Sequence, residues 1–378
     1  MGNFSRNKTR IVHVAPYFEA GNPFGGPLSV AINLVRQLNI DGCYPILLAG
    51  TRSRKKQIEG IQSRLFRSFR IYNNDKITGL FSPNLISWII INRKTILIIH
   101  IHLARELNTV ISAKIAKFLG IPYVVQTHGM IRKPKNKVEV LFDKLLTKGV
   151  IRNSKATLYL TVDERKRLEQ VESSANFLNF SNSVKSANPR VDFSLKKSEV
   201  IFISRLHHKK QPLVFLDIAM EIAIKYPETI FTVIGPDGGD LPAIISRLSS
   251  SNLANVNYEG VLNPDDVQGR LSLSTIFVLP TLADVFPMAL VEAMAAGCAI
   301  VTTSACELSS LVKDNALGIV TEPVKLEIQN AIEWLLRYPT KCQKIGKSAE
   351  EYVIKHLDIA VNSKILRSEV YGHANIGM

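Results

Sequence analysis

Two carboxylates, Asp284 and Glu292, stand eight residues apart on either side of a turn that contains Phe and Pro. The apolar run 276–280 before Asp284 predicts a buried parallel strand, and the small-residue segment after the turn predicts a helix. Because open α/β sheets bind ligands at the carboxyl ends of their strands, both acids are candidate ligand contacts. The alternative is a helix N-terminus that favours acids through its dipole. This alternative accounts for Asp284 but not for Glu292, which is expected about one turn or more inside the helix.

Two cations, Arg205 and Lys210, follow the apolar run 200–203. That run predicts a strand, so Arg205 is expected at a strand end and Lys210 at the opening of the next helix. A planar guanidinium and a compact ammonium are both suited to binding a diphosphate. The alternative is a pair of solvated surface cations. No third ligand is spaced to make a metal site with the adjacent His207 and His208.

A second candidate phosphate contact is Gly25-Gly26-Pro27, which opens a predicted helix after the strand 11–15. Glycine allows backbone N–H groups to approach a phosphate, and proline suits a first helical turn. The positive end of the helix dipole favours an anion there. A plain tight turn is the alternative interpretation.

Three histidines follow or lie within predicted strands. His128 comes directly after the apolar strand 122–127 and before a glycine, which places it at a strand end. His100 lies in the predicted strand 97–101 and His102 directly follows it. Because the two residues are two positions apart in an extended chain, both side chains point to one face. Packing in a core is the alternative for each of them.

In this order the motifs resemble family 4 of the retaining, nucleotide-sugar-dependent glycosyltransferases, which have the GT-B fold. The resemblance covers residues 25–292 and implies a role for each matching position. The donor diphosphate would be contacted by Gly25, Gly26, Arg205 and Lys210, and the donor sugar by His128 and Asp284. Glu292 would bind the ribose, Val261 would lie at the nucleobase, and the backbone N–H groups of Met288 and Ala289 would donate to the sugar and phosphates. His100 and His102 would lie on the acceptor side. His128, Asp284, Arg205 and Lys210 would be the catalytic set, with no metal and no cofactor besides the donor.

Two positions depart from the family pattern. Asp284 stands where the family usually has Glu, and Gln211 stands where it usually has Gly after the lysine. The turn 234–239 matches a G-P-x-x-G-G element of many relatives, which is expected near the base pocket.

Strand and helix patterns alternate along the chain, which predicts parallel sheets with right-handed crossovers. Strands are predicted at 11–15, 45–49, 97–101, 122–127, 157–161, 200–203, 230–234, 256–260, 276–279 and 299–302, and helices at 27–39, 107–119, 212–225, 290–296 and 325–337. The polar segment 173–198 breaks the alternation and is interpreted as a linker.

The predicted fold class is α/β of the GT-B type, with two facing Rossmann-like, doubly wound domains and a cleft between them. Residues 1–183 would form the acceptor-side domain and 184–350 the nucleotide-sugar-binding domain. Residues 351–378, with a final helix near 346–370, would pack back on the N-terminal domain, as the resemblance implies.

Composition narrows the protein class. The four cysteines are scattered without zinc spacing, which indicates reduced thiols. The polar start has no signal-peptide pattern, and no apolar run approaches the ~20 residues of a membrane helix. The sequence therefore predicts a cytoplasmic protein.

All of the excess positive charge lies in the first half of the chain. Residues up to Ser183 hold 28 Lys/Arg and 11 Asp/Glu, whereas the rest hold 19 and 21. Residues 52–72 combine many cations with apolar residues at three- and four-residue steps, which predicts an amphipathic basic helix suited to anionic lipid; packing on its own sheet is the alternative. A second basic run at 132–137 follows His128. Nucleic acid is not expected, because no stacking aromatics are interleaved with the cations.

The leading hypothesis is a retaining glycosyltransferase that uses a UDP- or GDP-linked sugar and acts on a glycan or lipid-linked acceptor at the inner membrane face. Its expected setting is the biosynthesis of a cell-surface polysaccharide, such as capsule, O-antigen or exopolysaccharide. The alternatives are a non-catalytic, membrane-associated subunit that has kept the fold, and a nucleotide-sugar epimerase of the same fold.

Overall fold

The computed structural model describes residues 10–18, 26–71, 79–134, 136–186 and 192–372. The chain divides into two compact units. The first comprises Met1–Asn182 together with Ile359–Met378, and the second comprises Ser183–Asp358.

A seven-stranded sheet forms the centre of the first unit. Its strands are β1 (Arg10–Phe18), β2 (Pro45–Thr51), β3 (Ser63–Arg67), β6 (Ile96–His102), β7 (Tyr123–Gln126), β8 (Ala156–Tyr159) and β9 (Phe177–Asn179), and a short antiparallel pair is formed by β4 (Phe69–Arg70) and β5 (Leu80–Phe81). The order is β3-β2-β1-β6-β7-β8-β9, and neighbouring strands run parallel. The order reverses between β1 and β6, so the carboxyl ends of these two strands border the crevice where doubly wound sheets bind ligands.

Helices cover both faces of this sheet, as parallel strands require. They are α1 (Gly26–Ile40), α2 (Pro83–Ile91), α3 (Leu107–Phe118), α4 (Lys137–Phe142), α5 (Lys148–Arg152), α6 (Val162–Val171) and, from the end of the chain, α14 (Ile359–Ile365). Apolar residues of the strands pack against helices in two separate buried clusters.

The second unit repeats the design with six parallel strands. These are β10 (Lys197–Ile203), β11 (Ile230–Ile234), β12 (Val256–Tyr258), β13 (Ser274–Leu279), β14 (Ala299–Thr303) and β15 (Gly318–Thr321). The order is β12-β11-β10-β13-β14-β15, with the reversal between β10 and β13. The helices are α7 (Pro212–Lys225), α8 (Leu241–Ser250), α9 (Val267–Leu271), α10 (Met288–Ala295), α11 (Ser309–Asp314), α12 (Lys325–Arg337) and α13 (Pro339–His356).

The predicted fold class, parallel α/β sheets in two Rossmann-like halves, is confirmed. All ten predicted strands and all five predicted helices are present, with ends that differ by a few residues. The four cysteines are free and buried. Within the described residues, every helix is too short or too polar to cross a membrane.

The prediction of an amphipathic basic helix at 52–72 is wrong. Residues Ser63–Arg67 form β3, which pairs with β2, and the burial alternates so that Leu65 faces inward while Arg64 faces solvent. Ile58 is also buried. The apolar spacing in this segment fits both a helix and a strand, and pairing with the edge of the sheet decided between them.

The bounds of the predicted linker and of the predicted final helix differ from those in the structure. The predicted linker 173–198 contains β9 and the start of β10, and the chain passes between the units at Asn182 and Ser183. The predicted final helix is broken after His356, and the chain re-enters the first unit at Ile359. There Ser363 donates to Asp41 at 2.6 Å, and Lys155 donates to the carbonyl of Tyr371 at 2.7 Å.

Candidate functional site

In the second unit, the loop after β10 carries both predicted cations. Arg205 is exposed in that loop, and Lys210 ends a short 3-10 turn, His208–Lys210, before α7 begins. The carbonyl of Lys209 accepts hydrogen bonds from the Thr281 hydroxyl at 3.0 Å and from the Leu282 amide at 2.8 Å. These bonds tie the loop after β10 to the loop after β13, across the reversal of strand order.

Asp284 lies in that second loop, and its carboxylate forms an ion pair with the ammonium of Lys210. Both side chains are about four-fifths buried, with 23% and 17% of their surface exposed. The carbonyl of Asp284 also accepts from the amide of Glu307 at 2.9 Å, which holds its backbone against the loop after β14. The structure thus joins two of the predicted catalytic residues that are 74 positions apart.

The glycine-rich turn 234–239 has a structural role in positioning Arg205. A side chain on Gly235 would lie 1.8 Å from the carbonyl oxygen of Ser204, and one on Gly238 would lie 2.9 Å from the Arg205 side chain. Leu206 is hydrogen-bonded to this turn through its amide and its carbonyl. Only glycine permits such close packing, so the turn supports the loop that carries the guanidinium.

Glu292 lies in the second turn of α10 and is partly buried. Burial raises its pKa to about 7, so a substantial fraction of this carboxyl is protonated near neutral pH. Met288 and Ala289 are the first two residues of α10, where backbone N–H groups have no acceptor within the helix. The N-terminus of α10 can therefore donate to an anionic or hydroxyl-bearing ligand.

The remaining predicted donor contacts are Val261, Gly26 and Gly25. Val261 is 55% exposed and follows Gly260, whose carbonyl accepts from the amide of Gly235 at 2.8 Å. Gly26 is the first residue of α1 in the first unit, with nothing within 4 Å of where its side chain would be. Gly25 lies outside the described residues.

Gln211, which replaces the usual glycine, has left-handed backbone angles (φ 55°, ψ 47°) directly before Pro212 begins α7. An L-residue is strained in this conformation and glycine is not. The side-chain oxygen of Gln211 is also buried without a hydrogen-bond partner among the described residues. The departure from the family pattern thus falls at a position where the backbone favours glycine.

In the first unit, His128 follows β7 in a tight turn with Gly129, and both residues have positive φ, 50° and 70°. The turn is held by the fully buried carboxylate of Glu164 in α6. This carboxylate accepts from the Thr127 hydroxyl at 2.6 Å, from the Leu160 amide at 2.7 Å and from the Gly129 amide. Sequence reasoning did not identify Glu164, because nothing local connects it to a residue 37 positions earlier.

Behind His128 lies a connected group that we name the histidine chain: His128, His102, His13, Tyr371 and His100. Nε2 of His128 is 2.8 Å from Nδ1 of His102, whose Nε2 is 3.1 Å from Nδ1 of His13. The Tyr371 hydroxyl lies 3.4 Å from Nε2 of His13 and 2.9 Å from Nδ1 of His100. His13, His100 and His102 are fully buried, and His128 is partly buried.

Burial keeps the histidine chain uncharged. It lowers the pKa of His100 and His128 to about 3 and places the pKa of His13 and His102 well below 6.5. Hydrogen bonding of His100 to Gln126 and of His128 to Asn182 raises these pKa values, but not enough to outweigh the effect of burial. His100 and His102 do share one face as predicted, yet that face is the interior of the first unit.

The nitrogen atoms of His13, His100 and His102 that could bind a metal lie within 4.8 Å of one another. The rings of His100 and His102 are stacked, however, with centroids 4.6 Å apart and planes 4° apart. Lone pairs of stacked imidazoles run side by side, whereas a zinc ion requires them to converge. The geometry suits hydrogen-bonded packing better than coordination.

Comparisons with known proteins identify relatives in sequence and in fold. Residues 185–352, within the second unit, match the family model described as "Glycosyl transferases group 1". A 2-deoxystreptamine N-acetyl-D-glucosaminyltransferase of Niallia circulans is 24% identical over 294 residues, which are 69% of this chain and 75% of that protein. A D-inositol 3-phosphate glycosyltransferase of Rhodococcus jostii is 23% identical over 175 residues, 44% of this chain and 39% of that protein.

Solved structures share the fold along almost the whole chain. Anabaena HepE in complex with UDP has a TM-score of 0.74 at 16% identity, with 97% of this chain and 100% of that chain covered. Sucrose-phosphate synthase of Thermosynechococcus elongatus has a TM-score of 0.75 at 14% identity, with 96% and 99% covered. These neighbours are GT-B glycosyltransferases, and the likeness at such identity concerns the fold.

Proposed function

We propose that the protein is a glycosyltransferase that transfers a sugar, with retention, from a nucleotide diphosphate sugar to a glycan or lipid-linked acceptor. The match of residues 185–352 to the group 1 glycosyl transferase model supports this proposal. The observation that carries the proposal is the ion pair of Lys210 with Asp284, formed where the strand order of the second sheet reverses. A cation for the diphosphate and a carboxylate for sugar hydroxyls meet there.

In the proposed reaction, Arg205 and Lys210 stabilise the negative charge that grows on the leaving diphosphate. The amides of Met288 and Ala289 donate hydrogen bonds to phosphate or sugar oxygens, and the Glu292 carboxylate accepts hydrogen bonds from the ribose hydroxyls. Asp284 orients the donor sugar.

Ion pairing with Lys210 holds the carboxylate of Asp284 in place before a ligand arrives, which reduces the ordering that binding requires. The side chain of Asp is one methylene shorter than that of Glu. We propose that the ammonium of Lys210 compensates for the shorter side chain by fixing the position of the Asp284 carboxylate.

We propose that His128 contacts the donor sugar and that His100 and His102, which are fully buried, support His128 instead of lining the acceptor side. Retention is proposed to proceed by attack of the acceptor on the same face from which the diphosphate leaves, with a phosphate oxygen as the base. In this account the chain needs no side-chain nucleophile.

Three similar proteins support the choice of donor and acceptor. HepE was solved in complex with UDP, which favours a UDP-linked donor over a GDP-linked one. The related N-acetyl-D-glucosaminyltransferase and inositol phosphate glycosyltransferase suggest a hydroxyl-bearing acceptor. We keep synthesis of a cell-surface polysaccharide, at the cytoplasmic face of the membrane, as the proposed setting.

The test is a thermal unfolding series with UDP-, GDP- and ADP-sugars and the free nucleotides, followed by analysis of transferred sugar. We expect one nucleotide series to raise the Tm, with a stabilisation of about 2.7 kcal/mol at a ligand concentration about 100 times the Kd. Lys210→Ala should abolish the shift, and Lys209→Ala, which removes a neighbouring exposed cation, should keep it.

Other results would redirect the proposal. If no nucleotide raises the Tm, the assignment of the Lys210 and Asp284 site is wrong. Binding without transfer to any acceptor would favour the non-catalytic subunit, and conversion of the nucleotide sugar to its epimer would favour the epimerase.

A further inference from the structure

One helical stretch of the first unit presents apolar side chains to solvent. Residues 137–152 run continuously through α4, a π-helical turn (Asp143–Thr147) and α5. Thr147, Val150 and Ile151 of this stretch are buried against the unit. The opposite side therefore has no contact with the core of the unit.

The outward side carries an apolar stripe. Val138, Leu141 and Leu145 follow one another at spacings of three and four residues, which places them on one face of a helix. Their exposed fractions are 76%, 55% and 60%. An amphipathic helix normally turns such a stripe toward its core, but here the core side is already occupied.

Positive charge borders the stripe. Lys137, Lys144 and Lys148 are exposed on the same stretch. Its two acids are engaged by one cation, since Arg105 donates to Asp143 at 2.9 and 2.7 Å and lies 3.9 Å from Glu139. We name Val138, Leu141, Leu145, Lys137, Lys144 and Lys148 the basic apolar face.

The end of α3 extends this surface. The ammonium of Lys114 donates to the carbonyl of Leu145 at 3.1 Å, so α3 lies alongside the stretch. Phe118, at the last position of α3, is 83% exposed, and the neighbouring Lys117 is exposed as well. Two adjacent elements thus combine exposed apolar side chains with lysines.

We infer that the basic apolar face docks the protein on an anionic lipid bilayer. Val138, Leu141, Leu145 and Phe118 would enter the interface, while the lysines contact headgroup phosphates and keep their charges in water. This face replaces residues 52–72 as the membrane-binding element, because Ile58 and Leu65 of that segment are buried and unavailable.

A bilayer suits the face better than other anionic partners. Nucleic acid is bound by cations together with aromatic rings on which bases stack. The apolar side chains of the basic apolar face are aliphatic, and the adjacent helix α3 adds a single ring, Phe118. The inference rests on the proposed function, because docking on a membrane would bring the enzyme to a lipid-linked acceptor.

The test is co-flotation of the full chain with vesicles of phosphatidylcholine alone or mixed with phosphatidylglycerol. We expect binding to the mixed vesicles that weakens with added salt, and little binding to the neutral ones. Leu141→Ser with Leu145→Ser, and separately Lys144→Gln with Lys148→Gln, should each reduce the bound fraction at least about tenfold, because interfacial binding combines apolar burial with charge attraction.

Matched controls are Ile91→Ser, which removes an apolar side chain that is 76% exposed on α2, and Lys94→Gln nearby. Both should float like the unaltered protein. Wild-type binding by the Leu141 and Leu145 variant, or equal binding to neutral vesicles, would overturn the inference. Failure to bind any vesicle would also overturn it and would leave an acidic protein as the partner to seek.

The same samples separate this inference from the proposed function. Each variant is also tested for its Tm and for its Tm shift with the nucleotide sugar. A retained nucleotide shift with lost flotation supports both proposals, whereas flotation without any nucleotide shift would retain the docking face and reject the donor site.

Discussion

Nε2 of His128 lies 2.8 Å from Nδ1 of His102, and this contact joins a partly exposed turn to a fully buried strand residue. A neutral imidazole has one N–H group. Whether His102 donates to Nε2 of His128 or accepts from it therefore determines which nitrogen of His128 is protonated. His102 is in turn bonded to His13. The orientation and tautomer of His128 are therefore set from inside the first unit.

Replacing His102 with Phe should impair His128 without removing it. The ring volume is kept, but Nε2 of His128 and Nδ1 of His13 lose their partners, which should cost about 1–3 kcal/mol in the free energy of unfolding. Misplacement of His128 should lower kcat by at least about tenfold. Steady-state kinetics would show whether kcat falls while the donor KM changes little; an unchanged kcat would contradict a positioning role.

The buried histidines should make the protein sensitive to acid. Because the fold lowers the pKa of His100 from 6.5 to about 3, its contribution to stability is present above pH 6.5 and is lost as the pH falls towards about 3. Each such histidine should remove about 1.4 kcal/mol of unfolding free energy per pH unit below its unfolded pKa. Urea unfolding as a function of pH measures the slope, and His100→Gln should make it shallower; an identical slope would be inconsistent with a neutral His100.

Gln211→Gly should stabilise the second unit. The substitution relieves left-handed backbone strain of about 1 kcal/mol and removes a side-chain oxygen that lacks a partner among the described residues. Gln211→Ala is the matched comparison, since it removes the same side chain and keeps an L-residue at φ 55°. Denaturant midpoints should place the Gly variant above the Ala variant; equal midpoints would show that the backbone there is unstrained.

The affinity for a nucleotide should depend on the ionisation of Glu292. Burial raises its pKa to about 7, so the stability that the protonated form provides is lost as the pH rises from 4.5 through about 7. Ribose hydroxyls that donate to the carboxylate favour its ionised form. Calorimetric titration should therefore show tighter binding as the pH increases from about 6 to about 8. Glu292→Gln should bind more weakly with a flat pH profile; a wild-type profile in that variant would exclude Glu292 as the cause.

Lys210→Ala should lower turnover at least about 100-fold, which is the size of a lost contact to developing negative charge. Lys210→Arg should recover part of the loss, because it restores the charge in a different geometry. Initial rates of sugar transfer measure both, with Lys209→Ala as the control. A Lys210→Ala enzyme of near-normal rate would mean that the ammonium does not act on the leaving group.

Local patterns were sufficient to predict most of the fold. The ten predicted strands are apolar runs bounded by polar loops, and such runs have few alternatives to burial in a parallel sheet. The loops after β7, β10 and β13 could be singled out for the same reason, because ligand-contacting residues gather where parallel strands end. Residues 52–72 were mispredicted because three- and four-residue apolar steps do not exclude a strand, and the available edge of β2 was not visible in the sequence.

The sequence by itself determined the strands, their parallel class and the polar groups that follow them, because these depend on neighbours within a few residues. The tertiary structure alone decided which of those groups meet. His13 and Tyr371 are 358 positions apart, and Lys210 and Asp284 are 74 apart. It also decided that His100 and His102 are interior and that Val138, Leu141 and Leu145 are exposed. Burial and pairing across a sheet depend on the order of strands in space, which a local pattern does not contain.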